Sequence, residues 1–249
     1  MPKQLSEARL EEQRDNLRLL NQVMRHDIRN DLQLISAYAE LLEDHVDDEG
    51  CQYLDVIKDS TESAADLTTA ARDLSRVMLS VDGEERAIPL AGVLEQRIEE
   101  ARSGHPEAIV TVEGSIPETD VVGNDMLGSV FRNLLQNAIQ HNDKTPPEIT
   151  VSTAEIDGRI EVRIADNGPG VPDEQKEEIF GRGEKGLESS GAGIGLYLVE
   201  SLVDNYGGDV WVEDRAGGGP TDGRRQTDDS ASGAVFVVSL PVAEQEDAS

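Results

Sequence analysis

The stretch NLLQNAIQHN, residues 133–142, lies in a segment, 125–142, that we predict to be helical. Asn133 and Asn137 are four positions apart, so their side chains project from the same helix face. An isolated pair of this kind is as often two surface amides as a site. Alternatively, Asn137 offers a neutral amide oxygen to Mg²⁺, a hard cation that usually keeps waters and phosphate oxygens as its other ligands. The motifs that follow decide between these two interpretations.

A second motif, DNGPG at 166–170, directly follows the strand-like run GRIEVRIA. Asp166 stands at the predicted strand end, and Gly168 and Gly170 permit positive φ angles and a close backbone approach to a flat ligand. The same glycines also suit an ordinary turn. A buried Asp carboxylate only accepts hydrogen bonds, so it would pair with the amino group of adenine and reject the carbonyl of guanine.

A third motif, GAGIGL at 191–196, precedes the helical run LYLVESLVDNY. Gly191, Gly193 and Gly195 would leave the first backbone amides of this helix open to phosphate oxygens, helped by the helix dipole. Alternate glycines are also common in loops. A dinucleotide-binding fold fits poorly, because this G-x-G lies late in the domain and no Gly-rich turn follows an early first strand.

These motifs belong to the second of two predicted domains. Helical and β-rich runs alternate over 86–241, including two strands separated by an Asp-Gly that suits a tight hairpin turn. We predict an α/β domain in which helices cover one face of a mixed sheet. Residues 215–233 are rich in Gly, Asp and Ser and are predicted to form a solvated loop, and 242–249 a disordered acidic tail.

The first domain, residues 1–82, is predicted to be a long antiparallel helical hairpin. Two apolar stripes at helical spacing are separated by the acidic stretch HVDDEG at 45–50. The stripe residues are Leu17, Leu20, Met24, Ile28, Ile35, Ala39 and Leu42, then Leu54, Ile57, Ala64, Leu67, Ala71, Leu74 and Met78. One hairpin leaves apolar surface uncovered, so we expect a homodimer that forms a four-helix bundle. The overall fold class is therefore α+β.

The composition excludes several kinds of protein. The 22 Lys and Arg residues face 51 Asp and Glu residues, which gives a net charge of −29 and argues against nucleic-acid binding. The even spread of carboxylates resembles proteins of high-salt cytoplasm, and a salt-loving archaeon is the expected source. The single cysteine, Cys51, indicates a reducing compartment. No apolar run is long enough to span a membrane and no signal peptide is recognisable, so we expect a cytoplasmic chain.

Taken in order, the three motifs resemble the N, G1 and G2 boxes of the ATP-binding domain that sensor histidine kinases share with gyrase, Hsp90 and MutL. Phe180, in EEIFGRG, resembles the F box of the histidine kinases, and the resemblance spans about 86–241. It implies an α/β-sandwich fold, ATP and Mg²⁺ as ligands, and a mobile lid over about 171–192. The implied magnesium ligand is Asn137, with Asn133 as its N-box neighbour. The residues implied to shape the adenine and phosphate pocket are Asp166, Gly168, Gly170, Gly191, Gly193 and Gly195.

The stretch HDIRN, residues 26–30, resembles the H box of the same family. His26 points away from the apolar stripe at 100° per residue and is predicted to face solvent. The resemblance implies autophosphorylation of His26 by MgATP, with Asp27 and Asn30 as catalytic neighbours. It also implies transfer to an aspartate of a response-regulator receiver domain, with possible reverse phosphatase activity. Asp31 stands where the family usually has Pro.

Two other functions stay open at this point. An ATP-driven conformational clamp of the MutL or Hsp90 type would place the ATP domain at the N-terminus and a catalytic Glu in the N-box helix, which here reads NLLQN. A non-enzymatic scaffold would bind nucleotide or only pair through its helices. The intact Asn137 and Asp166 speak against loss of nucleotide binding.

Overall fold

A computed structural model of the chain describes residues 28, 30–43, 45–79, 85–181, 192–215 and 233–243. The backbone divides into two compact units, one ending at Arg76 and the other beginning at Val77. The first unit is helical, and the second contains the sheets. Each unit is described by itself below.

The first unit is a helical hairpin. Helix α1 covers residues 30–43, and α2 covers Asp48–Leu79. Asp31, the residue at the usual Pro position, is helical. The turn between them is shorter than the predicted 45–50, because Asp47 caps α2 by accepting the backbone N–H of Gly50 at 3.0 Å. Gly50 lies inside the first turn of α2, where a Cβ atom would stand 2.6 Å from the Cβ of Val46. The predicted position of Gly50 in the loop is therefore wrong.

The predicted apolar stripe of the hairpin is only partly covered within one chain. Ala39, Leu54 and Ala70 are buried. Other apolar side chains on α1 and α2 are 40–67% exposed, and they include Ile28, Ile35, Leu41, Leu42, Tyr53, Val56, Ile57 and Leu67. The described hairpin therefore presents an apolar surface of the kind that a second copy covers in a helical bundle.

The second unit is built from strands and helices in the order predicted. The elements are β1 Arg86–Pro89, α3 Leu90–Gly104, β2 Ile109–Glu113, β3 Asp120–Gly123, α4 Leu127–Gln140, β4 Glu148–Ile156, β5 Arg159–Asp166, α5 Ala192–Asn205, β6 Asp209–Asp214 and β7 Ala234–Pro241. Strand β3 was not predicted, and it pairs antiparallel with β1 in a small separate sheet.

The main sheet has the strand order β2-β4-β5-β7-β6 in the described part of the chain. Strands β2 and β4 are parallel and the other neighbours are antiparallel, so the predicted mixed sheet is confirmed. The hairpin between β4 and β5 turns at Asp157 and Gly158, whose φ angles of 51° and 76° are those of the predicted tight turn. The pairing of Ile149 with Asp166 fixes the position of the end of β5 in the sheet.

Helices α3, α4 and α5 pack on one face of this sheet. Alternate residues of β5, namely Ile160, Val162, Ile164 and Asp166, are buried on the helix side. Helix α4 lies between its two neighbours and contacts both β4 and β5. The buried residues of α4 are Leu127, Val130, Phe131, Leu134, Leu135, Ala138 and Ile139. In this packing, the face of α4 that carries Asn133 and Asn137 lies at the margin of the core.

The end of the second unit is more ordered than predicted. The backbone N–H of Val242 donates to Gly158 at 3.1 Å, and that of Ala243 donates to Asp120 at 2.9 Å. Val242 also forms a bridge with Val121 of β3. The prediction of a disordered tail beginning at residue 242 is therefore wrong for these two residues, and residues 244–249 lie outside the described part.

Candidate active site

The first N-box amide, that of Asn133, lies beside the first turn of α5. Asn133 and Asn137 are both half-buried, and the amide of Asn133 donates to the carbonyl of Ser129 one turn earlier at 2.7 Å. This bond turns the Asn133 side-chain oxygen towards Gly195, where a Cβ atom would stand only 2.8 Å from it. Any other residue at 195 would have to displace Asn133. The N and G2 motifs therefore meet directly, although Asn133 and Gly195 are 62 residues apart in the sequence.

Asp166 lies at the end of β5 on the helix-facing side of the sheet, and it is 6% exposed. Its Oδ1 accepts the backbone N–H of Gly168 at 2.8 Å and that of Ala234 at 3.2 Å. Burial raises the pKa of the Asp166 carboxyl, while the two backbone amides and the charge of Arg215 lower it. The carboxylate is thus held by one oxygen, and within the described residues nothing donates to Oδ2.

The glycines of the G1 motif allow close packing on two sides. A Cβ atom at Gly168 would stand 3.1 Å from Oδ1 of Asp166 and 3.4 Å from Cα of Asn142, at the end of the N box. Gly170 has a φ of 76° and lies against the backbone of Gly233, just before β7. The G1 loop is therefore held between the N-box segment and the start of β7.

The beginning of the predicted lid, residues 171–181, is anchored on the sheet. Phe180 is buried and packs edge-on against Phe236 of β7, with ring centroids 6.2 Å apart and an interplanar angle of 81°. Lys176 pairs with Asp173 and, at 2.8 Å, with Asp214 at the end of β6. The rest of the predicted lid, residues 182–191, lies outside the described residues.

These features fit an adenine nucleotide with a bound cation. The second oxygen of Asp166 can accept an amino hydrogen, and Gly168 places no side chain beside the carboxylate. No hydrogen bond engages the side-chain amide of Asn137 within the described part of the chain. No group of three or more His, Cys, Asp or Glu residues that could hold a metal is found there either. A cation at this site would therefore rely on Asn137 and the phosphates of the nucleotide.

Comparison with known families agrees with this geometry. Residues 16–78 match the family described as "His Kinase A (phospho-acceptor) domain", and residues 123–244 match "Histidine kinase-, DNA gyrase B-, and HSP90-like ATPase". The two matches follow each other in the order that the motifs predict. The chain belongs to the sensor histidine kinases of two-component systems. The predicted family and its ATP-binding domain are thereby confirmed.

Individual relatives match different parts of this chain. The adaptive-response sensory kinase SasA of Synechococcus elongatus is 35% identical over 138 residues, which are 53% of this chain and 35% of SasA. The sensor-type histidine kinase PrrB of Mycobacterium leprae is 28% identical over 203 residues, which are 79% of this chain and 45% of PrrB. The chain therefore spans less than half the length of these two relatives.

A solved structure supports the fold. The crystal structure of full-length ShkA in complex with AMPPNP matches with a TM-score of 0.57 at 23% identity, covering 90% of this chain and 46% of ShkA. Among the described residues, no helix combines the length and the apolar character needed to cross a membrane. These matches have no bearing on the predicted origin in a salt-loving archaeon, which stays a prediction.

The structure places some of the predicted site residues and not others. His26, Asp27 and Gly191 lie outside the described residues. Asn30 is exposed on α1, and Gly193 lies in the first turn of α5. In the second unit, Gly195 lies against Asn133, Gly168 against Asp166, and Gly170 against Gly233. Asn137 is half-buried on α4, one turn after Asn133.

An amide bridge that sequence reasoning missed joins the N and G1 motifs. The side-chain amide of Asn142 donates to Oδ1 of Asn167 at 2.8 Å, and the same oxygen accepts the backbone N–H of Glu148 at 2.9 Å. Both asparagines lie inside the quoted motifs, so the signal was present. It was missed because asparagine beside glycine equally suits a solvated turn. The bridge ties the end of α4 to the residue that follows Asp166.

The predicted solvated loop at 215–233 is wrong at both of its ends. Arg215 is half-buried, its backbone N–H donates to the carbonyl of Gly233 at 3.0 Å, and its guanidinium donates to the carbonyl of Asp166 at 3.0 Å. The first and last residues of the segment are thus fixed at the candidate site. Residues 216–232 lie outside the described part.

Proposed function

We propose that this chain is an ATP-dependent protein-histidine kinase. It phosphorylates its own His26 and passes the phosphoryl group to an aspartate of a response-regulator receiver domain. The observation that carries the proposal is that the N-box segment contacts Gly195 of the G2 motif through Asn133 and the G1 loop through Asn142. These contacts stand on a chain whose residues 16–78 match a phospho-acceptor domain. Neither feature alone distinguishes a kinase from a nucleotide-binding scaffold.

Nucleotide binding follows from the described residues. Asp166 accepts a hydrogen from the amino group of adenine through Oδ2, and a guanine carbonyl in the same place would face the carboxylate unpaired. Asn133 positions the first turn of α5, whose amides face the phosphates. Asn137 is the residue that would hold Mg²⁺, which when bound neutralises phosphate charge. Gly193, in the first turn of α5, and Gly191, which lies outside the described residues, are the two further glycines that we assign to phosphate binding.

The chemistry at the acceptor follows from the residue types. The unprotonated nitrogen of the His26 imidazole attacks the γ-phosphorus, a P–N bond forms, the P–O bond to ADP breaks, and ADP leaves. Asp27 orients or accepts the proton on the other ring nitrogen. Asn30, one turn along, positions a water when the phosphoryl group is removed by the reverse phosphatase activity. Phosphoryl transfer needs mainly alignment and charge neutralisation, so these neighbours adjust rather than create the reactivity.

We assign a separate role in this function to each of the two parts of the chain. Residues 1–82 form the dimerisation and histidine-phosphotransfer hairpin, and residues 86–241, extended to Ala243, form the ATP-binding part. The exposed apolar side chains of α1 and α2 support a homodimer, because water leaves such a surface when two hairpins form a four-helix bundle. The proposed location is the cytoplasm.

One labelling experiment tests this function. The full chain is incubated with γ-labelled ATP and Mg²⁺ at high salt, and the labelled protein is treated with acid and with alkali. We expect a label that is acid-labile, alkali-stable, lost in His26→Gln and retained in His45→Gln. His45 is a suitable control because it is exposed in the turn between α1 and α2.

The other outcomes identify the alternatives. A label that survives His26→Gln would rule out His26 as the acceptor. Release of free phosphate without labelled protein would favour a conformational clamp, in which water is the attacking group. Nucleotide binding without release or labelling would favour a scaffold.

A further inference from the structure

We propose that Arg215 is a positioning residue of the nucleotide site, which holds Asp166 in place and keeps its carboxylate ready to accept the adenine amino group. This inference rests on the proposed function, since it concerns the same adenine site. Sequence reasoning gave Arg215 no role beyond the start of a solvated loop. Arg215 acts on Asp166 in two ways, through geometry and through its charge.

The geometric part is a closed ring of hydrogen bonds. Arg215 donates from its guanidinium to the carbonyl of Asp166 and from its backbone to the carbonyl of Gly233, each at 3.0 Å. The next residue, Ala234, donates its N–H to Oδ1 of Asp166 at 3.2 Å. Asp166 is therefore held through its main chain by Arg215 and through its side chain by the strand that Arg215 aligns.

The backbone around this ring is packed too closely to adjust easily. A Cβ atom at Gly233 would stand 2.1 Å from the carbonyl oxygen of Asp166, so the two backbone segments are in contact at that point. A Cβ atom at Gly170 would stand 3.3 Å from the carbonyl oxygen of Gly233. Arg215 thus closes a junction where the ends of β5, β6 and β7 and the G1 loop meet.

The electrostatic part concerns the buried carboxylate. Burial raises the pKa of Asp166, and the positive charge of Arg215 works in the opposite direction. The remaining neighbours in the described residues are uncharged: Ile149 on β4, the backbone of Gly168, Asn142 behind it, and Ala234 on β7. Since Arg215 is the charged side chain that contacts Asp166 in this part of the chain, its loss would raise the pKa further.

This arrangement has a direct consequence for binding. Oδ1 of Asp166 already accepts two backbone N–H groups, so a proton on this carboxyl would sit on Oδ2. Protonation therefore turns the oxygen that would face the adenine amino group from an acceptor into a donor, and the contact is lost. If Arg215 is replaced by an uncharged residue, affinity should fall at neutral pH and should fall more steeply as the pH is lowered. A residue with only a structural role would not change the pH dependence.

The test compares Arg215→Met, Arg215→Lys and the control Arg163→Met in the full chain. Arg163 lies on β5 three residues before Asp166, faces the opposite side of the sheet, and pairs with Glu161 and Glu213. The affinity for ATP and for ADP is measured by calorimetry from pH 5 to pH 8, and thermal unfolding is recorded for each variant. ADP is included because its adenine contact is independent of phosphoryl transfer.

We expect Arg215→Met to weaken ATP and ADP binding about tenfold at neutral pH, the effect of losing one charge-assisted contact, and to shift the loss of binding to higher pH. Arg215→Lys should keep the parental pH dependence but lose part of the affinity, because an ammonium group lacks the guanidinium geometry. Arg163→Met should match the parent. If Arg215→Met does not fold, the Arg215→Lys comparison decides alone.

The results that overturn the inference are distinct from those that overturn the kinase. Parental affinity or parental pH dependence in Arg215→Met, in a parent chain that binds ATP and labels His26, overturns only the role of Arg215. A parental affinity in Arg215→Lys does the same if that variant alone is folded. A parent chain that binds neither nucleotide overturns both proposals.

Discussion

Asp166 meets two opposing demands, since it must be buried to face an adenine ring and ionised to accept its amino hydrogen. Burial raises its pKa, and the backbone amides of Gly168 and Ala234 offset part of this effect. The sequence predicted a buried acceptor and the nearby Gly168. It did not predict Ala234, which lies 68 residues further along the chain. Pairings at such separations depend on the sheet register, which no local pattern specifies.

This conflict predicts that Asp166→Asn stabilises the nucleotide-free protein while it weakens ATP binding. A raised folded-state pKa means that the carboxyl stabilises the fold fully below its unfolded pKa and loses this contribution as the pH rises through the folded pKa. The asparagine variant carries no buried charge, and its Oδ1 can still accept both amides. Near pH 7.5, without nucleotide, we expect a higher free energy of unfolding and at least about tenfold weaker ATP binding.

The measurement is urea unfolding monitored by the fluorescence of Trp211, the single tryptophan, which lies on β6 in the second unit. ATP affinity is measured by calorimetry on the same samples. Asp173→Asn is the control, because Asp173 is exposed and its pKa is lowered by Lys176, so its removal should not stabilise the protein. A lower stability of Asp166→Asn near pH 7.5 would contradict the argument.

Among the helices and strands, sequence periodicity predicts those whose apolar residues repeat clearly. Helices α4 and α5 and the β4–β5 hairpin were anticipated, the last from its Asp-Gly turn. Strand β3 was missed because four residues, DVVG, are too short to show a repeat, and their strand conformation comes from pairing with β1. Helix α2 begins earlier than the pattern predicts, because Gly50 is a helical residue whose contact with Val46 requires a glycine.

A contact between elements yields the next prediction, for Tyr206→Phe. The hydroxyl of Tyr206, just after α5, donates to Oδ1 of Asn124 at 2.6 Å, and the same oxygen accepts the backbone N–H of Met126 at 2.9 Å. Burial raises the pKa of Tyr206, so the hydroxyl stays a protonated donor throughout the neutral range. Removing it leaves a buried acceptor with one partner fewer where α4 begins, and we expect a loss of about 1–2 kcal/mol of unfolding free energy.

Urea unfolding is again followed at Trp211 for the second unit, and by the helical circular dichroism signal for both units. Tyr53→Phe is the matched control, because Tyr53 is 63% exposed on α2 and makes only a 3.4 Å contact with Glu49. Its unfolding midpoint should equal that of the parent. An unchanged midpoint in Tyr206→Phe would show that the α5-to-α4 bond adds nothing to stability.

For the whole molecule, charge is the dominant property that composition alone reveals. The net charge is −29, with 51 acidic residues against 22 basic ones. Several cations of the second unit are already paired with acids, as in the contacts Arg159 to Asp209 and Lys176 to Asp214. The carboxylates therefore outnumber the cations that are available to pair with them. Exposed ion pairs contribute little, so the net effect of this surface on the folded state is mutual repulsion.

Repulsion of this kind predicts that salt stabilises the fold, which also tests the expected high-salt origin. The screening length falls from about 10 Å at 0.1 M to about 3 Å at 1 M, so most of the repulsion should vanish over that interval. We expect the unfolding temperature to rise by about 5 °C between 0.1 M and 1 M KCl, equivalent to about 2 kcal/mol. Potassium sulfate at equal ionic strength separates screening from the exclusion of salt from the protein surface, since sulfate is the more strongly excluded anion. Coinciding curves for the two salts would identify screening as the cause, whereas an unfolding temperature that stays level or falls with KCl would rule it out.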